Sequence, residues 1–100
     1  MLKDKYKFKF SQGEAQDLQQ KLNKMFFEAA QEKDLQIMLP VSVLAEFHKR
    51  LTGALLFPKT EIKIHLKRTE AIAFMFLYLT NYIEQTLETA QIAHAIDTTL

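Results

Sequence analysis

The longest apolar stretch of the chain is Ala71-Ile72-Ala73-Phe74-Met75-Phe76-Leu77-Tyr78-Leu79, residues 71–79, and it continues past Thr80-Asn81 to Tyr82-Ile83. Moving apolar side chains out of water lowers the free energy, so any fold must bury most of this stretch. A helix that spans a bilayer takes about 20 apolar residues, so the stretch is too short to cross one. It therefore predicts the core of a globular domain.

The residues around this stretch favour a long helix. Thr69 suits an N-cap, and the Glu70 carboxylate suits the positive end of a helix dipole. Residues 70–100 contain no Gly or Pro, which predicts a helix over about residues 70–96. The alternative is a break near Thr80-Asn81, after which the second half folds back on its own domain.

Two segments alternate between polar and apolar residues, which is the period of a β-strand. Residues 5–10 read Lys-Tyr-Lys-Phe-Lys-Phe, and residues 61–67 read Glu-Ile-Lys-Ile-His-Leu-Lys. Each predicted strand has one apolar face and one face that is mainly basic. The simplest assembly pairs the strands in one sheet whose apolar face packs on the helices.

Two further helices are predicted between the strands. Ser11 and Glu14 have the spacing of a capping box, and apolar residues at helical spacing follow, which predicts a helix over about residues 12–33. Pro40 suits the first turn of a helix and predicts the next one over about residues 41–52. The five residues before Pro40 are either a short extended segment or an apolar connection.

The fold class that follows is α+β, with one small domain over residues 1–100. A chain of 100 residues, 48% of them hydrophobic and 25% charged, has the length and composition of a single globular domain. The predicted order is β-α-α-β-α: a two-stranded sheet (strands near 5–10 and 61–67) packed on three helices (near 12–33, 41–52 and 70–96).

Charge and cysteine content limit the classes of partner and compartment. The net charge is only +1, but residues 69–100 contain four acidic and no basic residues, while residues 1–10 and 59–68 each have a balance of +3. There is no cysteine, which excludes disulfides and thiolate metal sites. Residues 1–5 lack the apolar core of a signal peptide. We therefore expect a cytoplasmic protein without a membrane segment.

The outward face of the predicted sheet is the first candidate site. Its lysines would all point the same way, which suits contact with a phosphate backbone that is independent of base sequence. The alternatives are a solvated face that protects the strands from aggregation, or a face covered by the acidic residues Glu84, Glu88 and Asp97. The predicted polyanion-binding residues are Lys5, Lys7, Lys9, Lys63, Lys67 and Arg68.

A homodimer interface is the second candidate site. A helix over residues 70–96 is roughly 40 Å long at 1.5 Å per residue and overhangs a domain of about 30 Å. The Leu55-Leu56-Phe57 triplet also adds apolar surface that a monomer need not bury. A two-fold dimer commonly covers such surface. The predicted interface residues are Phe27, Leu87, Ala90 and Ala93.

No pattern in the sequence predicts catalysis, a cofactor or a metal. There is no nucleophile motif and no glycine-rich phosphate loop, and the three histidines are widely spaced. The basic cluster His48-Lys49-Arg50 is expected to lie on a solvated helix face. The sequence thus favours a non-catalytic interaction or assembly module whose partner is a second copy of the chain or another protein. The alternative is a small nucleic-acid-binding or accessory protein that uses the lysines of the sheet.

Overall fold

Two strands and four helices make up the chain in a computed structural model that describes residues 1–100. The elements are β1 (Lys5–Phe10), α1 (Gln12–Ala29), α2 (Leu35–Ala54), β2 (Ile62–Lys67), α3 (Arg68–Leu79) and α4 (Leu87–Asp97). The α+β class and both strands are confirmed. The helix count changes from three to four, and none of the helices combines the length and apolar composition needed to cross a bilayer.

The sheet is a single antiparallel pair. Lys5 lies opposite Lys67 at one end and Phe10 opposite Ile62 at the other. Because side chains alternate between the two faces of a strand, this register puts every apolar residue of both strands on one face. That face is buried against the helices. The other face carries lysines and His65.

The core is one cluster of 23 buried hydrophobic residues. Its largest fully buried side chains include Phe10, Phe47 and Phe74, which come from β1, α2 and α3. Helix α3 contacts both strands, α2 and α4, so it lies near the centre of the domain. This position explains the apolar residues on its buried side, Ala71, Ala73, Phe74 and Leu77, whereas Ile72, Phe76 and Leu79 of the same stretch are exposed.

Helix α1 begins as the sequence predicts. The Glu14 amide donates to Ser11 Oγ at 3.2 Å, and the Ser11 amide donates to Glu14 Oε1 at 2.8 Å. The helix ends at Ala29 rather than near residue 33. The physical reason is that Asp34 already caps the next helix, so the chain must turn within residues 30–34.

Helix α2 begins six residues earlier than predicted. The Gln36 amide donates to the Asp34 carboxylate at 2.9 Å, which fixes the first turn at Leu35. Pro40 is therefore the sixth residue of the helix rather than its start, and it removes the amide that would bond the Gln36 carbonyl. The segment before Pro40 is helical, neither extended nor a connection.

The predicted helix over residues 70–96 is wrong, and the alternative break near Thr80-Asn81 is confirmed. Asn81 adopts the left-handed conformation, with φ of 67°. The Tyr82 amide donates to the Leu77 carbonyl at 2.9 Å, and the Asn81 amide donates to the Tyr78 carbonyl at 3.2 Å. These two bonds form a Schellman motif, which ends an α-helix by satisfying its last carbonyls.

The chain then returns to the domain instead of projecting from it. Thr86 caps α4, accepting from the Thr89 amide at 3.2 Å. Helix α4 packs on α1, α3 and β1. The overhang that partly motivated the predicted dimer is therefore absent, and the whole chain measures 39 × 31 × 21 Å.

A partly buried ion pair ties α2 to the start of α3. The Arg50 guanidinium donates to both carboxylate oxygens of Glu70, at 3.0 and 2.6 Å, and also to the His65 carbonyl at 3.0 Å. The Lys67 amide donates to the same carboxylate at 2.9 Å. Only 3% of the Glu70 side chain is exposed. Arg50 thus joins three elements, whereas the sequence suggested that it lies on a solvated face.

Burial alone would raise the pKa of the Glu70 carboxyl. The Arg50 guanidinium and the Lys67 amide outweigh that effect and hold this pKa below its ordinary value. A carboxyl whose pKa is lower in the folded state stabilises the fold above its unfolded pKa, and this contribution is lost as the pH falls below about 4.5.

Substituting Arg50→Met should lower the free energy of unfolding by about 2–4 kcal/mol, because it leaves the Glu70 carboxylate buried without its partner. The double substitution Arg50→Met/Glu70→Leu should cost less than the single one, since it removes the unpaired charge. Urea denaturation of the three proteins at pH 7 measures both effects. A double variant less stable than Arg50→Met would contradict this account.

The left-handed residue at the end of α3 gives a second test. Asn81→Gly should leave the free energy of unfolding unchanged or raise it by a few tenths of a kcal/mol, because Gly adopts a positive φ without a steric penalty. Asn81→Val should lower it by about 1–2 kcal/mol. If thermal denaturation shows equal stability for both variants, the Schellman motif does not fix the helix end.

Candidate functional site

The first candidate site is the solvent-exposed face of the sheet, which we call the lysine face. It consists of the outward side chains of β1 and β2: Lys5, Lys7, Lys9, Lys63, His65 and Lys67. All five lysines are exposed. A shallow depression of about 650 Å³ lies over the strands, and Gln91 of α4 contributes to its lining.

The lysine face is unpaired within the chain. The four ion pairs of the structure join Lys21 to Asp17 and Glu84, Arg50 to Glu70, and Arg68 to Asp4, and none includes a lysine of the sheet. Like charges also face one another across the strands, since Lys5 is opposite Lys67 and Lys9 is opposite Lys63. Such pairs destabilise a sheet.

The acidic residues near the C-terminus do not cover this face. Glu84 Oε2 lies 3.1 Å from Nζ of Lys21 in α1, so this carboxylate pairs with α1 rather than with the sheet. Hydrogen bonding to Glu84 raises the pKa of the Lys21 ammonium, and the same bond lowers the pKa of the Glu84 carboxyl. Neither Glu88 nor Asp97 forms an ion pair. The alternative in which these residues neutralise the lysine face within one chain is therefore contradicted.

Five of the six residues predicted for polyanion binding lie together, and Arg68 is set apart. Its guanidinium donates to the Asp4 carboxylate at 2.6 Å and to the Leu2 carbonyl at 3.1 Å. These bonds hold the N-terminal residues against the start of α3. Arg68 is therefore already engaged within the chain.

His65 lies between Lys63 and Lys67 on the outward side of β2, within the lysine face. Partial burial is the main cause that lowers the pKa of its imidazole, and the charges of Arg50, Lys5 and Lys67 lower it further. His48 also has a lowered pKa, because it is partly buried between α1 and α2. Its ring packs edge-on against Phe26 with centroids 5.0 Å apart.

The second candidate site is an exposed apolar surface where α2 and α3 meet, which we call the α2–α3 apolar face. Its members follow one another at helical spacing along each helix: Leu35, Leu39 and Val43 on α2, and Ile72, Phe76 and Leu79 on α3. A groove of about 360 Å³ runs between the helices, and none of its lining residues is charged. Leu39 is 64%, Ile72 52% and Leu79 69% exposed.

The residues predicted for a dimer interface are not part of this surface. Phe27 lies exposed on α1 and Leu87 lies exposed at the start of α4. Ala90 is also exposed on α4, but Ala93 is buried in the core of its own chain. The four residues thus lie on two separate elements, and Ala93 faces inward because α4 folds back on the domain.

Sequence reasoning missed the α2–α3 apolar face, although part of its signal is visible in the sequence. Leu35, Leu39 and Val43 recur every four residues, a helical spacing. The pattern was obscured because residues 35–39 were not assigned to a helix. The juxtaposition with α3 is not readable from the sequence, since it depends on tertiary packing.

The structure brings no group of three metal-ligating side chains together. Comparison with protein families, with characterised proteins and with solved structures finds no match to this chain. The two surfaces themselves are therefore the basis for any functional proposal.

The lowered pKa values of His48 and His65 predict how stability depends on pH. Near and below pH 6.5 the two histidines bind more protons in the unfolded chain than in the folded chain. The free energy of unfolding should therefore fall as the pH is lowered from 7.5 to 5.5. Urea denaturation at the two pH values measures this change. In His48→Gln/His65→Gln the change should be smaller, and an undiminished change would exclude these histidines as its source.

Proposed function

We propose that this chain is a non-catalytic assembly module that forms a homodimer through the α2–α3 apolar face. The observation that carries this proposal is the continuous row of exposed apolar side chains on two adjacent helices. The proposed location of the dimer is the cytoplasm, an expectation that rests on the cysteine-free sequence.

The size of the face supports a macromolecular partner. Its six side chains present roughly 600 Å² of apolar surface, if a fully exposed large side chain presents about 200 Å². That is at the upper end of the largest apolar patch on a typical monomer, about 300–600 Å². A standard interface buries about 800 Å² on each partner, polar rim included. The α2–α3 apolar face is large enough to form the centre of such an interface.

The lack of charge supports a second copy as the partner. A two-fold dimer brings the same surface of both chains together, so any charge near its centre meets its own like charge. No charged residue lines the groove between α2 and α3. Two copies can therefore meet here without electrostatic repulsion.

The direction of the helices also suits this arrangement. Arg50 near the end of α2 contacts Glu70 near the start of α3. Beyond the end of α3, burial raises the pKa of the Tyr82 hydroxyl, and the charge of Asp34 at the start of α2 is close enough to raise it further. The two helices therefore run in opposite directions. Two such pairs face to face form a four-helix layer, in which the rows of Leu39 and Ile72 can interdigitate.

The double substitution Leu39→Glu/Ile72→Glu tests the proposed interface. The wild-type protein at about 50 μM should have twice the mass of one chain by light scattering coupled to size exclusion. The variant should dissociate at least about 100-fold more readily, because burying each large apolar side chain contributes about 1.5–3 kcal/mol. Both positions are exposed in the single chain, so its circular dichroism should not change.

The matched control is Phe27→Glu/Leu87→Glu, which changes the charge equally at two exposed apolar positions elsewhere. It should remain a dimer. A wild-type protein that is monomeric at 50 μM would refute the dimer. Loss of the dimer in the control but not in Leu39→Glu/Ile72→Glu would place the interface on α1 and α4 instead.

A further inference from the structure

We infer that the lysine face binds the phosphate backbone of duplex nucleic acid. This inference goes beyond self-association and does not rest on it, since the lysine face shares no residue with the α2–α3 apolar face. It rests on the arrangement of the lysines, on their lack of partners and on the chemistry of the side chains that surround them.

The register of the sheet arranges the positive charges in two short rows. Side chains on one face of a strand recur every ~6.7 Å, and paired strands lie about 4.8 Å apart. Lys5, Lys7 and Lys9 form one row, and Lys63 and Lys67 flank His65 in the other. The Cα atoms of the five lysines therefore lie within an area of roughly 13 by 5 Å.

The free chain compensates these charges little, since the nearest attraction recorded for a sheet lysine is that of Lys67 for the Glu70 carboxylate, which is bonded to Arg50. No sheet lysine forms an ion pair, although Lys21, Arg50 and Arg68 all find a carboxylate elsewhere in the fold. The two lysine pairs across the strands repel each other. A bound polyanion neutralises these like charges, and the relief of their repulsion adds to the free energy of binding.

The side-chain chemistry favours a phosphate backbone. A lysine ammonium binds phosphate as a point charge and needs no fixed bidentate geometry. Gln91 adds a neutral amide at the edge of the depression, where it can donate to a phosphate or sugar oxygen. The exposed side chains of this face include no apolar residue that could insert into a lipid layer.

The position of the aromatic residues favours a duplex over a single strand. Proteins that bind single strands stack the bases on exposed aromatic side chains. Tyr6, Phe8 and Phe10 all point into the core, and none is more than 7% exposed. A duplex keeps its bases stacked and presents only its backbone, which is what the lysine face can contact.

The number of lysines sets the expected strength and salt dependence. Each phosphate contact contributes a slope of about −0.9 in a plot of log K against log salt concentration, so five contacts give about −4.5. Relative to about 1 M salt, the same relation makes each contact contribute roughly tenfold to the affinity at 50 mM salt. Binding should therefore be measurable at 50 mM salt and should weaken several-hundredfold by 200 mM.

Fluorescence anisotropy with a labelled 20-base-pair DNA duplex tests the inference on the wild-type protein. The variant Lys7→Glu/Lys9→Glu/Lys63→Glu should bind at least about 100-fold more weakly at 50 mM salt. The control Lys33→Glu/Lys49→Glu/Lys59→Glu changes the net charge by the same amount at exposed, unpaired lysines outside the sheet. It should weaken binding less than tenfold.

A second variant keeps the test valid if the glutamates disturb folding. Lys7→Gln/Lys9→Gln/Lys63→Gln removes three charges without adding repulsion, and its fold is checked by circular dichroism. Its salt slope should be smaller in magnitude by about 2.7, because three contacts are lost. An unchanged slope in the folded variant would overturn the inference.

Competition experiments separate the duplex from other polyanions. Unlabelled duplex should displace the probe better than a single strand of the same length, polyglutamate or vesicles of anionic phospholipid. A wild-type protein that fails to bind the duplex at 50 mM salt would show that the lysine face is only a solvated surface. Tighter binding of the single strand, polyglutamate or vesicles would overturn the assignment of the ligand as a duplex.

Discussion

The ion pair between Arg50 and Glu70 sets how α2, β2 and the start of α3 lie against one another. The guanidinium binds a carboxylate at the start of α3 and the His65 carbonyl of β2, so one side chain of α2 positions both elements. Charged groups are costly to bury, and this pair is tolerated because every strong acceptor has a donor. No buried side-chain polar atom in the structure lacks a hydrogen-bond partner. The ion pair therefore fixes the direction in which residues 71–79 enter the core.

Both candidate surfaces follow from this anchored core. Holding α3 along α2 buries Ala73, Phe74 and Leu77 and leaves Ile72 and Phe76 beside Leu39 at the surface. Packing β1 and β2 on the helices in one register sends every lysine of the sheet to the opposite side of the strands. A small domain has too little interior to hide all its apolar residues, so the apolar surface that remains is available to a partner.

Local patterns in the sequence predicted the elements that local forces determine. The alternation of residues 5–10 and 61–67 located both strands, and the capping box of Ser11 and Glu14 located the start of α1. The same reasoning failed where two local signals compete. Asp34 starts α2 despite Pro40, and Asn81 ends α3 although no Gly or Pro marks the site. In both places a short polar side chain, which satisfies or redirects a few backbone groups, outweighs the propensity of the surrounding residues.

The sequence by itself determined the α+β class, the two strands, the lysine content of one strand face and the apolar character of residues 71–79. These properties depend on the period of side chains along a single element, which is written in the order of residues. Only the tertiary structure decided that α4 folds back, that Arg50 is engaged in the core while five sheet lysines stay free, and that Leu39 meets Ile72. Those features depend on contacts between residues at least 15 positions apart, such as Arg50 with His65, and such contacts form only when the complete set of elements packs to bury one core.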